Sequence, residues 1–117
     1  MHTDLSLGSG AARARREPRN RLRDALLALA DGKAAILSHE EKSWASITFA
    51  GARHRVELVF EGAEAVQAGE LFIAFLPEHE FALPGRLVAD AAVTAVEHRL
   101  DPPRLQVSCE LLLLEEG

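Results

Sequence analysis

The spacing of the apolar residues changes near residue 33, and this change constrains the fold more than any other feature of the chain. Before it, apolar residues recur every three or four positions, as on one face of a helix: Leu22, Ala25, Leu26, Leu29 and Ala30. After it, they recur at every second position, as in the run Val56, Leu58 and Phe60. The pattern predicts an α+β domain in which a helix packs on a sheet, because each element has one apolar face to bury.

The first elements have recognisable ends. Pro18 suits the first position of the helix, and Gly32 suits the position just after its last turn. Residues 34–39 and 43–50 have the pattern of two strands separated by a polar turn. Together with the strand that contains Val56 they are predicted to form an antiparallel meander, because the connections are too short for another arrangement.

The middle of the chain is predicted to hold a short helix followed by a buried strand. Residues 62–69 favour a helix, with Glu64 near the positive end of its dipole and Gly69 as its stop signal. Residues 71–76, with the sequence LFIAFL, are apolar on both faces. This is typical of a central strand that is covered on both sides.

Residues 86–100 allow two interpretations. As a helix they would present one polar stripe, and as a strand they place Leu87 and Val93 on one face. The β-branched residues favour the strand, and residues 101–103 (DPP) provide a turn into a last strand at residues 105–114. The predicted fold is therefore a curved, mostly antiparallel sheet of about six strands, with an N-terminal helix packed on it and a short second helix.

The last predicted strand is unusually apolar near its end. Residues 111–114 are all leucine, so both faces of the strand are apolar there. Such a strand has to be covered, either by the N-terminal helix or by a second copy of the protein. If a second copy covers the strand, the protein is a homodimer.

The charge of the chain is divided unevenly. Residues 1–23 carry six arginines and two acidic residues, a net charge of +4, which leaves −9 for the remainder of a chain whose net charge is −5. Residues 1–16 are predicted to be a disordered arm, and residues 17–117 a single domain. The arm could bind an acidic partner through Arg13, Arg15, Arg16 and Arg19, but an arm that folds back on the acidic body or is simply solvated is favoured. Nucleic acid is an unlikely partner, because the body is acidic and aromatic residues are few.

The chain's one cysteine, Cys109, excludes an intramolecular disulfide and any site that needs several cysteines. Its place on the apolar face of the last strand predicts a small buried side chain. No residue pattern indicates a metal or another cofactor. The chain has no apolar stretch of membrane-spanning length and no signal-peptide pattern, so a cytoplasmic location is expected.

The run Glu78-His79-Glu80 combines two carboxylates with a histidine, the residue types of acid–base or metal chemistry. In an extended loop the two carboxylates point one way and the histidine points the other, so a solvated polar loop is the simpler interpretation. A ligand site would need further residues from neighbouring strands, and Asp90, His54 and His98 are the candidates. Trp44, on the more polar face of its predicted strand, either packs under the helix or marks a binding surface; packing is favoured.

Two stretches carry a resemblance to known proteins. The segments WASITFAGARH (residues 44–54) and LPEHEFALPGRLVAD (residues 76–90) resemble small uncharacterised bacterial proteins, a likeness that implies no activity. The apolar hairpin entered through Pro84 and Gly85 is similar to the last strands of hot-dog acyl-thioester enzymes, which wrap a sheet around a helix and dimerise. The order of elements departs from that fold, with three strands before the short second helix.

Two functions follow as hypotheses. The first is a non-enzymatic binding domain that self-associates through an apolar sheet surface. The second is a small enzyme or carrier that holds an apolar, acyl-type ligand between helix and sheet, with Glu78, His79, Glu80 and Asp90 at the mouth of the pocket. No nucleophile motif or phosphate-binding loop supports a particular reaction.

Overall fold

A computed structural model describes residues 19–116 of the chain. A helix, α1, occupies residues 19–29 and is followed by two strands, a second helix and two further strands. Their bounds are β1 Ala34–Ala45, β2 Ala50–Glu61, α2 Ala63–Phe75, β3 Arg86–Leu100 and β4 Pro103–Glu115, and a short 3-10 turn, Leu76–Glu78, extends α2.

The four strands form one antiparallel sheet in the order β1-β2-β4-β3. The last strand in sequence therefore lies between β2 and β3, and β1 and β3 are the two edges. This central position explains the leucine-rich end of β4, because its main chain pairs on both sides and one of its faces enters the core.

Both helices contribute to a core on one face of the sheet, called here the inner face. Leu22 and Leu26 of α1 and Phe72 of α2 are fully buried against inner-face residues of β2 and β4. The inner-face residues of these strands in the core are Val56, Leu58, Phe60, Leu105, Val107, Cys109, Leu111 and Leu113. Within the described residues no helix covers the opposite, outer face, so the domain has two layers.

The predicted count of about six strands is wrong, and one reason is the N-terminal half of the sheet. Residues 34–45 form one continuous strand, so the expected turn at residues 40–42 is strand. The chain reverses at residues 46–49 instead. There the Ser46 N–H donates to the Phe49 carbonyl at 2.7 Å, and the Phe49 N–H donates to Ser46 Oγ at 3.1 Å. The polar residues of the expected turn instead occupy an edge strand, where charged side chains are common.

The second reason is α2, which includes residues 71–75 that were predicted as a strand. Gly69 does not stop this helix. Gly69 is buried, and a Cβ at this position would lie 2.6 Å from Leu105 Cδ2 and 2.9 Å from the Phe60 ring. Gly69 therefore lets the helix approach the sheet closely, and the helix continues so that Phe72 and Leu76, one turn apart, both enter the core.

The C-terminal hairpin has the predicted strands. β3 and β4 pair along their whole lengths, from Arg86 opposite Glu115 to Leu100 opposite Pro103. Two irregularities interrupt the register, one between Val88 and Asp90 and one between Val93 and Ala95. The pairing after the second irregularity is regular to the end of the strand.

Helix α1 ends next to Gly32, as the sequence predicts, but the left-handed conformation begins one residue earlier, at Asp31. Asp31 has φ 59° and Gly32 has φ 67°. The Gly32 N–H donates to the Leu27 carbonyl at 2.9 Å and the Asp31 N–H donates to the Ala28 carbonyl at 2.9 Å. This is the hydrogen-bond pattern of a Schellman motif. The expected arm, residues 1–16, and Pro18 lie outside the described residues.

Candidate functional site

Glu78, His79 and Glu80 lie on the surface, in the connection between α2 and β3. Glu78 ends the 3-10 turn, and the His79 N–H donates to the Leu76 carbonyl at 3.3 Å. The His79 ring packs edge-on against Phe81, with the ring centroids 4.6 Å apart. All three polar side chains are exposed, so the structure agrees with a solvated polar loop.

Two open surface clefts border this loop. A cleft of about 690 Å³ runs from His79 and Glu80 past Phe81 to Arg86 on β3. A second cleft of about 470 Å³ lies on the other side, between the loop and the side chains of Leu29 and Phe75. The loop therefore separates two shallow surfaces.

The other predicted site residues do not join this loop. Asp90 is exposed on the outer face of β3, opposite Leu112. His54 points to the inner face of β2 and is 3% exposed. The space between helices and sheet, where an apolar ligand was hypothesised, is occupied by fully buried side chains such as Phe60, Phe72 and Leu26.

His54 has a partner that sequence reasoning did not find. Its Nδ1 lies 2.9 Å from Nε2 of His39 on β1, so one ring donates a hydrogen bond to the other. Arg19 of α1 lies over the pair: its Nη2 donates to the His39 carbonyl at 2.6 Å, and its Nη1 lies 3.4 Å from Glu41 Oε1. The pair thus joins both strands of the β1–β2 hairpin beneath the first turn of α1.

Burial favours the neutral form of both histidines, because it lowers the pKa of each ring. Burial, and then the positive charge of Arg19, lower the pKa of His39 from 6.5 to about 4. Burial also lowers the pKa of His54, against the opposing effect of Glu41. A protonated His39 would bury an N–H at Nδ1, an atom for which the structure shows no hydrogen-bond partner. The described residues contain no group of three or more His, Cys, Asp or Glu side chains that could hold a metal. The hydrogen bond between the two histidines instead connects β1 to β2.

A bulge in β1 explains why the pair escaped sequence analysis. Ile36 is opposite Leu58 and Ser38 is opposite Glu57, so Leu37 is the extra residue. Strict alternation from the core residue Ile36 would place His39 on the outer face. The bulge reverses the alternation and brings His39 to the inner face, opposite Val56. The sequence carries no glycine or proline at this position to signal it.

Trp44 lies on the outer face, where no helix packs within residues 19–116, so it does not pack under the predicted helix. It is opposite Gly51, which is in turn opposite Leu114, and Leu114 is opposite Leu87. These residues form a row across the outer face. A Cβ on Gly51 would collide with the Leu113 carbonyl, so glycine permits the close approach of β2 and β4 there. The half-buried Trp44 thus lies on the face that no described helix covers.

Charged residues occupy the centre of the outer face. Arg55 Nη2 lies 3.1 Å from Glu110 Oε2, and Ser38 and Ser108 both donate to the Glu57 carboxylate, at 2.8 Å and 3.3 Å. A cleft of about 510 Å³ lies beside Arg55 and Glu110. Acidic and basic side chains alternate in it, so the face carries no strong field of one sign.

Cys109 is fully buried, as predicted. Burial raises the pKa of Cys109 to about 12. Its thiol donates weakly to the Val56 carbonyl, with a sulfur–oxygen distance of 3.6 Å. The thiolate needed for nucleophilic chemistry is therefore strongly disfavoured.

Of the arginines considered for an acidic partner, Arg13, Arg15 and Arg16 lie outside the described residues. Arg19 contacts Glu41 of the same chain. This contact joins the basic end of the protein to its acidic body.

The most exposed part of the sheet is the second half of β3. Every residue from 94 to 100 is exposed, and Val96 and Leu100 retain 46% and 78% of their accessible surface. Val96 is opposite the core residue Val107, so it lies on the inner face beyond the cover of the helices. Within residues 19–116 no strand pairs with the second edge of β3, so this free edge presents both apolar side chains and unpaired main-chain groups, a combination that favours strand pairing with another chain.

Comparison with known proteins gives information on the fold. No protein-family model and no curated protein matches the chain. A chain in the solved structure entitled "Virion of native gene transfer agent (GTA) particle" has a similar fold, with a TM-score of 0.54 and 15% sequence identity over 84% of this chain and 92% of that one. None of the helices in the described part of the protein has the length and apolar character needed to cross a membrane.

Proposed function

We propose that the protein is a non-enzymatic structural subunit that acts by associating with further copies of itself. The observation that carries this proposal is the free edge of β3, where Val96 and Leu100 are exposed beside unpaired main-chain groups. A soluble monomer would be expected to protect such an edge with inward-facing charges or a covering loop. Two irregularities occur in β3, but both lie before residue 96.

The fold comparison supports the same proposal. The similar chain is part of a virion, a particle built from many subunits. The dispersal of the candidate ligand-site residues over the loop, the core and the outer face also favours assembly over a reaction. Self-association through a sheet edge requires only main-chain pairing and a few complementary side chains.

Light scattering coupled to gel filtration tests the proposal. Full-length protein is expected to show a mass above the 12.7 kDa of one chain, rising with concentration. Val96→Lys should reduce the mass to that of a monomer, because a lysine on an edge strand opposes pairing. Leu71→Lys is the matched control, since Leu71 is 57% exposed on α2, away from the sheet edge; this variant should still associate. A wild-type chain that remains monomeric up to about 1 mM would exclude self-association.

A further inference from the structure

The register of β3 defines how two copies can pair. Residues 95–100 are opposite residues 108–103 of β4 without interruption, so this segment is a regular strand with one free side. An antiparallel pair of identical strands has a two-fold axis, and an axis through one residue places its neighbours opposite each other. The choice of that residue sets every cross-strand contact.

We infer that two copies join their β3 strands antiparallel about an axis through His98, a proposal that rests on the self-association proposed above. In this register Glu97 of each chain lies opposite Arg99 of the other, and Val96 lies opposite Leu100. Both kinds of pair occur twice because of the symmetry. The two opposite-charge pairs lie on one face of the joined strands and the two apolar pairs lie on the other.

Neighbouring registers lack this complementarity. Moving the axis to residue 97 places two glutamates opposite each other, and moving it to residue 99 places two arginines opposite each other. Like charges in directly opposed positions destabilise a strand pair. Among the three registers centred on residues 97–99, the one through His98 alone matches the charges.

The side chains involved are available for pairing. Glu97, His98 and Arg99 are all exposed. Arg99 is held beside the strand, because its Nε donates to the Pro102 carbonyl at 3.3 Å. A restrained arginine loses less conformational freedom on association than a free one. The opposite edge, β1, pairs regularly from Ser38 to Ala45, but this run (SHEEKSWA) is mostly polar and lacks a matching set of apolar side chains.

Charge exchange at the two positions tests the register. Glu97→Arg places two arginines opposite each other, and Arg99→Glu places two glutamates opposite each other; each variant should weaken dimerisation about tenfold or more. The double variant Glu97→Arg/Arg99→Glu restores opposite charges and should return the dissociation constant to within about threefold of the wild-type value. Sedimentation equilibrium from about 1 μM to about 1 mM measures all four proteins, because so short an interface is expected to be weak.

A disulfide test locates the axis. His98→Cys should form a cross-linked dimer under mild oxidation, because the two sulfurs would meet at the axis. Ala95→Cys is the matched control: its two copies would lie roughly 20 Å apart along the strands and should not cross-link. The wild-type chain is the negative control, because its cysteine, Cys109, is buried and should not cross-link.

The outcomes separate the two proposals. Restoration by the double variant and a cross-link at position 98 alone support the register. A wild-type oligomer in which the charge variants associate normally and His98→Cys does not cross-link overturns the register and leaves self-association standing. Masses larger than a dimer, unaffected by charge exchange, would instead indicate head-to-tail pairing of β3 with β1. A monomeric wild type overturns both proposals.

Discussion

β3 and β4 are the two strands of one hairpin, and their environments are opposite. β4 has 13 residues, and those on its inner face are buried from Leu105 to Leu113. β3 has 15 residues, and its second half is exposed on both faces. The difference comes from position in the sheet. β4 has β2 on one edge and β3 on the other, whereas β3 has β4 on one edge and no described strand on the other. Similar composition in adjacent strands therefore does not imply similar burial.

Truncating one leucine in each strand tests this contrast most strongly. Leu111→Ala on β4 removes a fully buried side chain and should lower the free energy of unfolding by about 2–5 kcal/mol. Leu100→Ala on β3 should change it by less than about 0.5 kcal/mol, because Leu100 is exposed. Urea unfolding of dilute protein measures both without a contribution from association. Equal losses would mean that the end of β3 is covered in the free chain.

The covered and uncovered sides of α2 sharpen the contrast. Gly69→Val should destabilise the fold by about 1–3 kcal/mol or more, because even a Cβ there overlaps Phe60 and Leu105. Ala74→Val places the same side chain at an exposed position of the same helix, and it should lower the free energy of unfolding by no more than about 0.7 kcal/mol. Thermal unfolding with calorimetric enthalpies compares the two variants. A tolerated valine at position 69 would contradict the close approach of α2 to the sheet.

The smallest expected effect is the pH dependence of stability that arises from the His39–His54 pair. The pKa of His39 is about 4 in the folded chain and 6.5 in the unfolded chain, so the unfolded chain binds more protons between these values. The stabilisation is complete above pH 6.5 and decreases as the pH falls towards 4. The full shift would correspond to about 3 kcal/mol, and solvent screening of a half-exposed ring reduces this to on the order of 1 kcal/mol.

Replacing the histidine isolates that contribution. His39→Gln should flatten the loss of stability between pH 6.5 and 4 relative to wild type, as measured by urea unfolding at several pH values. His79→Gln alters an exposed histidine in the loop and should leave the wild-type slope unchanged. Identical slopes for wild type and His39→Gln would show that the pair is not held neutral by burial.

Part of the fold and little of the candidate site follow from the sequence. The helical spacing of Leu22 and Leu26 correctly indicated a helix with one buried face, and the alternation in residues 105–113 correctly indicated the inner face of β4. The site proved harder because side chains from different strands meet only through register. His39 and His54 are neighbours because of a bulge, and Asp90 and His54 are separated because they lie on opposite faces.

The sequence by itself determined the local preferences: a stripe that requires a helix, alternations that require strands, and a turn at residues 101–103 that joins two of them. These depend on interactions between residues close in the chain. Tertiary structure alone decided that residues 71–75 are helical, because Gly69 is needed for contact with Phe60 and does not act as a stop. It also decided that β4 is central and β3 an edge. Strand order depends on which distant surfaces can bury each other, and local spacing carries no record of that choice.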